Sequence, residues 1–136
     1  MSGAAADVRR AAEELVDAFG RGDLRGYFAC FAPDATFLFH TADRLLASRA
    51  EYEREWDRWV REDGLRVLDC RTSGTQIRLH GSVAVLTHDV RTTVATARGQ
   101  DVLVERESIV FRREDDGRWL AVHEHLSADP ASRRSS

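Results

Sequence analysis

The stretch VAVLTHDVRTTVA at residues 83–95 decides the fold, because apolar and polar side chains alternate along its length. Successive side chains of a β-strand point to opposite faces, so this alternation predicts a long strand with one buried and one polar face. The more apolar face carries Ala84, Leu86, His88, Val90, Thr92 and Val94. We therefore expect two polar side chains, His88 and Thr92, to lie on the buried face of this strand.

The segments on either side alternate in the same way and are separated by short turn sequences. Strands are predicted over Leu65–His80, Val83–Ala95, Val102–Arg113 and Arg118–Ser127. Turn-forming residues separate them at Gly81-Ser82, around Arg98-Gly99, and at Asp115-Asp116-Gly117. These features predict a meander of four long antiparallel strands, with one earlier strand over Ala35–His40.

The N-terminal half has the residue spacing of helices. Apolar side chains recur at helical intervals over Asp7–Phe19, which predicts a first amphipathic helix. Asp23 can cap a second, short helix from Leu24 to about Phe31. A third helix is predicted from Ser48 to Gly64, because Ser48 and Glu51 have the spacing of a capping box.

Composition excludes several classes of protein. The 136 residues are 43% hydrophobic and 32% charged, with a net charge of −3, which is typical of a globular protein and gives no basic field for nucleic acid. No apolar run is long enough for a membrane span, and the N-terminus lacks the apolar core of a signal peptide. We expect a cytoplasmic protein with one domain over residues 1–127 and a polar, disordered tail over residues 128–136.

The basic residues and the cysteines limit the chemistry further. All 20 basic residues are arginine, so a Schiff base on a lysine amine is excluded. The two cysteines, Cys30 and Cys70, have no CxxC partner and are interpreted as packing thiols. No glycine-rich phosphate loop or nucleophile elbow is present, and no cofactor is expected.

Three stretches of the chain resemble one superfamily in their order and spacing. They are GDL at 22–24 followed by FAPDAT at 31–36, GSVAV at 81–85, and GRW at 117–119 leading to VHEHLS at 122–127. With helices first and long strands after, the chain resembles the nuclear transport factor 2-like superfamily and, within it, the SnoaL-like branch. The resemblance implies an α+β fold, a cone-shaped barrel with a strongly curved antiparallel sheet wrapped around three N-terminal helices. It also implies a homodimer through the convex face of the sheet.

The resemblance does not imply one activity, because the superfamily includes ketosteroid isomerases, polyketide cyclases, dehydratases, epoxide hydrolases and association domains. Three functional residues of ketosteroid isomerases can be aligned with this chain: the general-base aspartate of the first strand with Phe39, the tyrosine of the first helix with Leu15, and the protonated aspartate of the penultimate strand with Ile109. All three positions are hydrophobic here. Ketosteroid isomerase activity is therefore not expected.

Symmetric hairpins predict which side chains share the concave face of the sheet. From the deepest row outward, the rows are Ile77, Leu86, Phe111, Leu120; then Thr75, His88, Ile109, Val122; then Ser73, Val90, Glu107, Glu124; and then Arg71, Thr92, Glu105, Leu126. The rows become more polar outward. We therefore predict a pocket with an apolar floor and a polar mouth.

Glu107 and Glu124 would lie directly opposite one another in this arrangement. Two partly desolvated carboxyl groups at directly opposite positions are close enough to share a proton, which raises one pKa into the range of a general acid or base. His88 could relay protons or orient a ligand oxygen, and Arg71 could hold an anionic group or neutralise Glu105. The alternatives are that the glutamates are rim residues bridged to arginines and that His88 is a packed core residue.

The remaining candidates are weaker in sequence. Trp56 and Trp59 are core residues of the third helix that could also stack on a ligand. Tyr27, His40 and Ile109 are further candidates for the pocket lining. Alternate histidines at 123 and 125 invite a metal hypothesis, but they are predicted to face outward without a third ligand, so no metal is expected.

Two functions stay open at this point. The first is a cofactor-independent SnoaL-like protein that isomerises, dehydrates or cyclises a hydrophobic organic molecule through Glu107, Glu124 and His88. The second is a non-catalytic ligand-binding or oligomerisation module in which the same polar groups form a structural network.

Overall fold

The computed structural model describes residues 3–130 of the chain. Within this range it contains three helices and five strands. The helices are α1 (Gly3–Gly20), α2 (Leu24–Ala29) and α3 (Arg49–Asp63). The strands are β1 (Phe31–Phe39), β2 (Arg66–His80), β3 (Val83–Thr96), β4 (Gly99–Arg113) and β5 (Trp119–Ala128). No helix in this part of the chain is both long and apolar enough to cross a membrane.

The five strands form one curved sheet in the order β1-β5-β4-β3-β2. The predicted α+β cone is confirmed, but the sheet is mixed, because β1 pairs with β5 in parallel. The antiparallel prediction is correct for β2 to β5. Helix α1 packs against β2 and β5, and α3 packs against β1, so the helices cover one face of the sheet.

Local sequence explains where α3 begins and ends. The backbone N–H of Glu51 donates to Oγ of Ser48 at 3.1 Å, and the Glu51 carboxylate accepts from the backbone N–H of Ala47. This arrangement satisfies N–H groups that have no partner inside the helix. Gly64 ends α3 at a φ of 67°, a left-handed conformation that favours glycine.

Strand β1 is longer than predicted and begins at Phe31 rather than Ala35. It lies at an edge of the sheet, where a proline is tolerated because it needs no partner for a backbone N–H. Its register against β5 shifts between Phe31 and Thr36, the segment that contains Pro33. The sequence Pro33-Asp34 therefore interrupts the strand pairing but does not precede the strand.

One end of the interior is filled by large apolar side chains. Phe31, Phe37, Leu86, Ile109 and Phe111 are fully buried and belong to one core cluster. Burial of each such side chain stabilises the fold by about 1.5–3 kcal/mol relative to exposure. This solid apolar end supports the strands whose next inward positions carry the polar groups described below.

The predicted register between β3 and β4 is wrong by two residues. Thr96 pairs with Gly99, so the turn consists of two residues and not a longer loop centred on Arg98-Gly99. His88 is consequently opposite Glu107 and not opposite Ile109. The tight turn, with Gly99 at a φ of 122°, accounts for the difference.

The predicted pairing of β4 with β5 is also wrong. A bulge at Val122 places Ala121 opposite Phe111 and His123 opposite Val110. Trp119 and Ala121 are therefore buried, where Leu120 and Val122 were expected. The extra residue restores the predicted inward face for the rest of the strand, which includes Glu124.

A second irregularity changes β2. The register against β3 shifts between Ser73 and Gln76, and Gly74 has a φ of 65°. Ile77 remains opposite Leu86 as predicted, whereas Cys70, and not Arg71, is opposite Thr92. The predicted third and fourth rows are therefore wrong on this strand.

The C-terminal segment stays in the sheet further than expected. Ala128 is the last residue of β5, and the backbone N–H of Asp129 donates to the carbonyl of Val104 at 3.0 Å. The tail predicted over residues 128–136 thus begins later than expected. Its positions 131–136 lie outside the described residues.

Candidate functional site

A cavity of about 240 Å³ lies between the helices and the covered face of the sheet, and we call it the central cavity. Most of its lining is aliphatic or aromatic. Its volume is somewhat below the range of about 300–1,000 Å³ typical of small-molecule sites. The cavity therefore suits a compact organic molecule.

Two carboxyl groups, the carboxyl pair of Glu107 and Glu124, line the central cavity. Glu107 is 8% exposed and Glu124 is 2% exposed. In the sheet Glu124 is opposite Ile109 and Glu107 is opposite Leu126, so the two glutamates are diagonal neighbours and not directly opposite as predicted. Their side chains are nevertheless close enough for a hydrogen-bonding interaction that acts on the pKa of each.

Hydrogen bonds extend from the carboxyl pair in both directions. His88 Nε2 lies 2.6 Å from Oε1 of Glu107, and the Tyr27 hydroxyl donates to Oε1 of Glu124 at 3.2 Å. The hydroxyl oxygens of Tyr27 and Tyr52 are 2.9 Å apart. Because the single O–H of Tyr27 is directed to Glu124, the Tyr52 hydroxyl donates to Tyr27. We call the series Tyr52, Tyr27, Glu124, Glu107 and His88 the polar chain.

The pKa values of both carboxyl groups of the pair are raised, which favours their protonated forms. Burial raises the pKa of Glu107 from 4.5 to about 7, the hydrogen bond with Glu124 lowers it, and the nearby Glu105 carboxylate raises it. Burial raises the pKa of Glu124 well above 4.5, and the charge of Glu107 and the hydrogen bond between them raise it further. At neutral pH Glu124 therefore holds a proton, while Glu107 is near its own midpoint.

His88 supports Glu107 from the side away from the cavity. Its side chain is 2% exposed and does not line the central cavity. Burial lowers its pKa, although the charges of Glu124 and Asp89 act in the opposite direction. At neutral pH the imidazole is uncharged, and its Nε2–H can donate to an ionised Glu107.

A second histidine–glutamate contact lies two residues along β4. His40 Nε2 is 2.6 Å from Oε2 of Glu105, and the His40 side chain is 34% exposed. Glu105 lines the central cavity, whereas His40 does not. Residues two apart on a strand share a face, which explains why Glu105 and Glu107 both reach the cavity.

The other predicted site residues divide into two groups. Tyr27, Trp56 and Trp59 line the central cavity. Arg71 does not, because the shift in β2 directs it outward, where its side chain is 80% exposed and bonded to Asp69. Ile109 is fully buried in the core and does not line the cavity.

The most buried part of the lining is not purely apolar, as the predicted apolar floor would require. The carboxyl pair and Tyr27 are among the least accessible side chains of the lining, and we call the part of the cavity that they form its inner end. Other parts of the lining are more accessible and include Leu65 and Leu103, which are only partly buried.

Sequence reasoning missed several contributors to the cavity, among them Tyr52 and Cys70. Tyr52 lies on the same helical stripe as Trp56 and Trp59, a spacing that could have identified it. Cys70 lines the cavity because of the irregular register of β2, for which the sequence gives no clear signal. Burial raises the pKa of its thiol to about 11, so it is not a ready nucleophile.

The two histidines of β5 lie away from the central cavity. His123 Nδ1 is 2.8 Å from the Thr36 hydroxyl, and His125 is exposed. Over residues 3–130, no group of three or more histidine, cysteine, aspartate or glutamate side chains is arranged to hold a metal ion.

Solved structures with the same fold come from several bacteria. A protein from Catenulispora acidiphila, solved in complex with S-DNPA, is 18% identical, with 98% of this chain and 99% of that chain covered and a TM-score of 0.78. An NTF2-like protein of unknown function in nutrient uptake from Rhodospirillum rubrum is 21% identical, with 90% and 98% covered and a TM-score of 0.77. A ketosteroid isomerase-like protein from Erwinia carotovora is 16% identical, with 90% and 94% covered and a TM-score of 0.75.

The fold is the one seen in solved structures of NTF2-like proteins. The sequence model of the SnoaL-like domain matches residues 8–131, and the chain belongs to this family. No curated protein sequence matches it. The family and the fold support a small-molecule-binding domain.

Proposed function

We propose that the protein catalyses proton transfer in a hydrophobic organic substrate with its own side chains, in an isomerisation, dehydration or cyclisation. The observation that carries this proposal is the carboxyl pair itself, because Glu107 and Glu124 are both buried, both line the central cavity and each acts on the pKa of the other. One carboxyl group that holds its proton beside one that can lose it provides an acid and a base at neutral pH.

The roles of the two carboxyl groups follow from their environments. Ionised Glu107 takes a proton from a substrate carbon, and protonated Glu124 gives its proton to a substrate oxygen. In a dehydration these two transfers release water and leave a double bond. The proton now on Glu107 returns to Glu124 through the hydrogen bond that joins them, which restores the starting state.

Two neighbours of the pair are positioning residues in this proposal. His88 fixes Oε1 of Glu107 from outside the cavity, and Tyr27 fixes Oε1 of Glu124. Trp56 and Trp59 would hold the apolar body of the substrate. The Catenulispora acidiphila protein, which has the same fold, was solved in complex with S-DNPA, and this supports the use of such a fold for a small molecule.

We propose also a cytoplasmic homodimer that associates through the outer face of the sheet. Leu38 and Val102, each 41% exposed, lie on strands of this sheet and provide apolar surface for a second copy. The competing function is a module that binds a ligand in the same cavity without turnover.

The test uses 5-nitrobenzisoxazole, a compact bicyclic compound whose ring opens when a base removes its carbon-bound proton and the N–O bond breaks. The protein is expected to accelerate the opening about 100-fold or more over acetate at equal concentration. The rate should rise through a pH of about 7, the pKa of Glu107.

The matched variants are Glu107→Gln in the cavity and Glu62→Gln on the surface of α3, where Glu62 bonds to Arg58. Glu107→Gln should remove the acceleration and Glu62→Gln should retain it, with both variants folded by circular dichroism. If Glu107→Gln opens the ring as fast as the unmodified protein, the carboxyl pair is not the base and the binding module is the better description.

A further inference from the structure

The central cavity is lined by acids and by no cationic side chain. Glu105, Glu107 and Glu124 contribute to its wall. Although the chain has 20 arginines, none of them lines the cavity in the part of the chain that the structure describes. An anionic ligand would therefore meet repulsion and no partner, which excludes the anion-holding role predicted for Arg71.

Few positively charged groups lie near these three glutamates. Glu105 contacts His40 at the edge of the cavity, and Glu107 contacts His88, whose pKa is lowered by burial. The groups that act on Glu124 are Glu107, Tyr27 and His88, none of which is a permanent cation. Burial of a carboxylate without a positive partner costs free energy. A cation bound at the inner end of the cavity would therefore be stabilised by these acids.

Aromatic rings form much of the remaining wall. Tyr27, Tyr52, Trp56 and Phe19 all line the cavity, and adjacent rings contact one another, with centroids 4.8 Å apart for Phe19 and Tyr27 and 6.2 Å apart for Tyr52 and Trp56. The faces of such rings attract cations, most strongly where water is excluded.

A separate observation points to a ligand at the wall formed by α3. Nε1 of Trp56 is buried and has no hydrogen-bond partner among residues 3–130, and this side chain, which is 6% exposed, lines the cavity. A buried indole N–H without an acceptor is unfavourable. A ligand oxygen or nitrogen acceptor would satisfy it.

We infer that the central cavity binds a compact aromatic or alicyclic amine, with its ammonium group at Glu107 and Glu124 and a hydrogen-bond acceptor at the indole of Trp56. An ammonium group has three N–H donors and no acceptor, which complements a wall that offers carboxyl oxygens. The inference rests on the proposed use of the cavity as a ligand site and does not require turnover.

The experiment compares three probes of one shape: 4-methoxyphenethylamine, 4-methoxyphenethyl alcohol and 3-(4-methoxyphenyl)propanoate. Binding to the full chain is measured by isothermal titration calorimetry at pH 8, where Glu107 is mostly ionised. The amine should bind about tenfold more tightly than the alcohol, and the propanoate should bind most weakly. Glu107→Gln should remove the preference for the amine, whereas the surface variant Glu62→Gln should keep it.

Trp56→Phe tests the acceptor end, because it keeps an aromatic ring and removes the indole N–H. In the unmodified protein the methoxy amine should bind about fivefold more tightly than 2-phenylethylamine, which lacks the acceptor. Trp56→Phe should abolish that difference and leave the preference for amine over alcohol intact.

The two proposals fail differently. Equal or tighter binding of the alcohol or the propanoate overturns the amine inference and leaves proton transfer by the carboxyl pair in place. If none of the three probes binds at millimolar concentration, the amine inference is overturned. If the amine binds but 5-nitrobenzisoxazole is not opened, the amine inference stands and the catalytic proposal falls.

Discussion

The protein has two histidine–glutamate contacts two residues apart on β4, and they differ in how far water reaches them. His88 and Glu107 are 2.6 Å apart with side chains 2% and 8% exposed. His40 and Glu105 are also 2.6 Å apart, but the His40 side chain is 34% exposed. The same two residue types at the same distance thus form one contact sealed by the core and one reached by solvent. Burial, and not the distance between the partners, therefore distinguishes the two contacts, and the buried contact is the one that contains the carboxyl group proposed as the base.

The largest difference should appear in the opening of 5-nitrobenzisoxazole. Glu107→Gln is expected to lower the rate at least about 100-fold, because it removes the base that has a raised pKa. Glu105→Gln should lower it by less than about tenfold, because Glu105 is paired at the edge of the cavity. The measurement is the initial rate at pH 8, and equal losses would remove the distinction between the two contacts.

The next contrast concerns stability. His88→Ala should lower the free energy of unfolding by about 3 kcal/mol, because it leaves a void and removes a hydrogen-bond partner from the buried carboxyl group of Glu107. His40→Ala should cost less than about 1 kcal/mol, as is typical of partly exposed ion pairs. Urea denaturation of both variants at pH 7 measures the difference. Similar values for the two would show that the buried contact is not the more stabilising one.

The pH dependence of stability reports on the carboxyl pair. The pKa values of Glu107 and Glu124 are higher in the folded than in the unfolded protein, so their contribution is complete below the unfolded values and is lost as the pH rises towards the folded ones. The lowered pKa of His88 acts in the opposite direction, but its effect fades above about pH 7.5, where the imidazole is almost entirely neutral in both states. Between pH 7 and 8 the free energy of unfolding should fall by about 1 kcal/mol.

The control for that slope is Glu124→Gln, which keeps the size of the side chain and removes the titration. This variant should show a shallower slope over the same interval, because only Glu107 still titrates there, and it should be more stable than the unmodified protein at pH 8. A variant that retained the full slope would place the titration elsewhere.

The smallest effect is expected from the outer hydroxyl of the polar chain. Tyr52→Phe removes the donor to Tyr27 while the ring remains packed, and should cost about 1 kcal/mol. Tyr27→Phe should cost more, since it removes two hydrogen bonds at once, the one to Glu124 and the one from Tyr52. Thermal unfolding followed by circular dichroism gives the order, and a reversed order would contradict the direction assigned to these hydrogen bonds.

The sequence predicted the elements well because their signals are local. Alternation along residues 83–95 and the capping residues Ser48 and Glu51 each depend on neighbours in the chain, and the structure confirms the strand and the helix. The first residue of β1 was harder to predict. Pro33 is tolerated only at a sheet edge, and whether a strand lies at an edge is a property of the whole sheet.

The arrangement of the site depended on features that periodicity does not record. A two-residue turn before Gly99 moved His88 opposite Glu107, and the bulge at Val122 made Glu107 and Glu124 diagonal neighbours. Bulges form where a bent sheet needs extra twist, which is a tertiary requirement. The inward face of both glutamates could be predicted, whereas the outward position of Arg71 and the contribution of Cys70 could not.

The polar chain also has a consequence for how the protein folds. Tyr27 and Glu124 are 97 residues apart in sequence, so their hydrogen bond cannot form until the first and last thirds of the chain have met. Until then the carboxyl groups of Glu107 and Glu124 are solvated and ionised at neutral pH. Refolding at pH 7 should therefore take up protons in its final phase, and a dye that follows bulk pH in a stopped-flow instrument would time the closure of the cone.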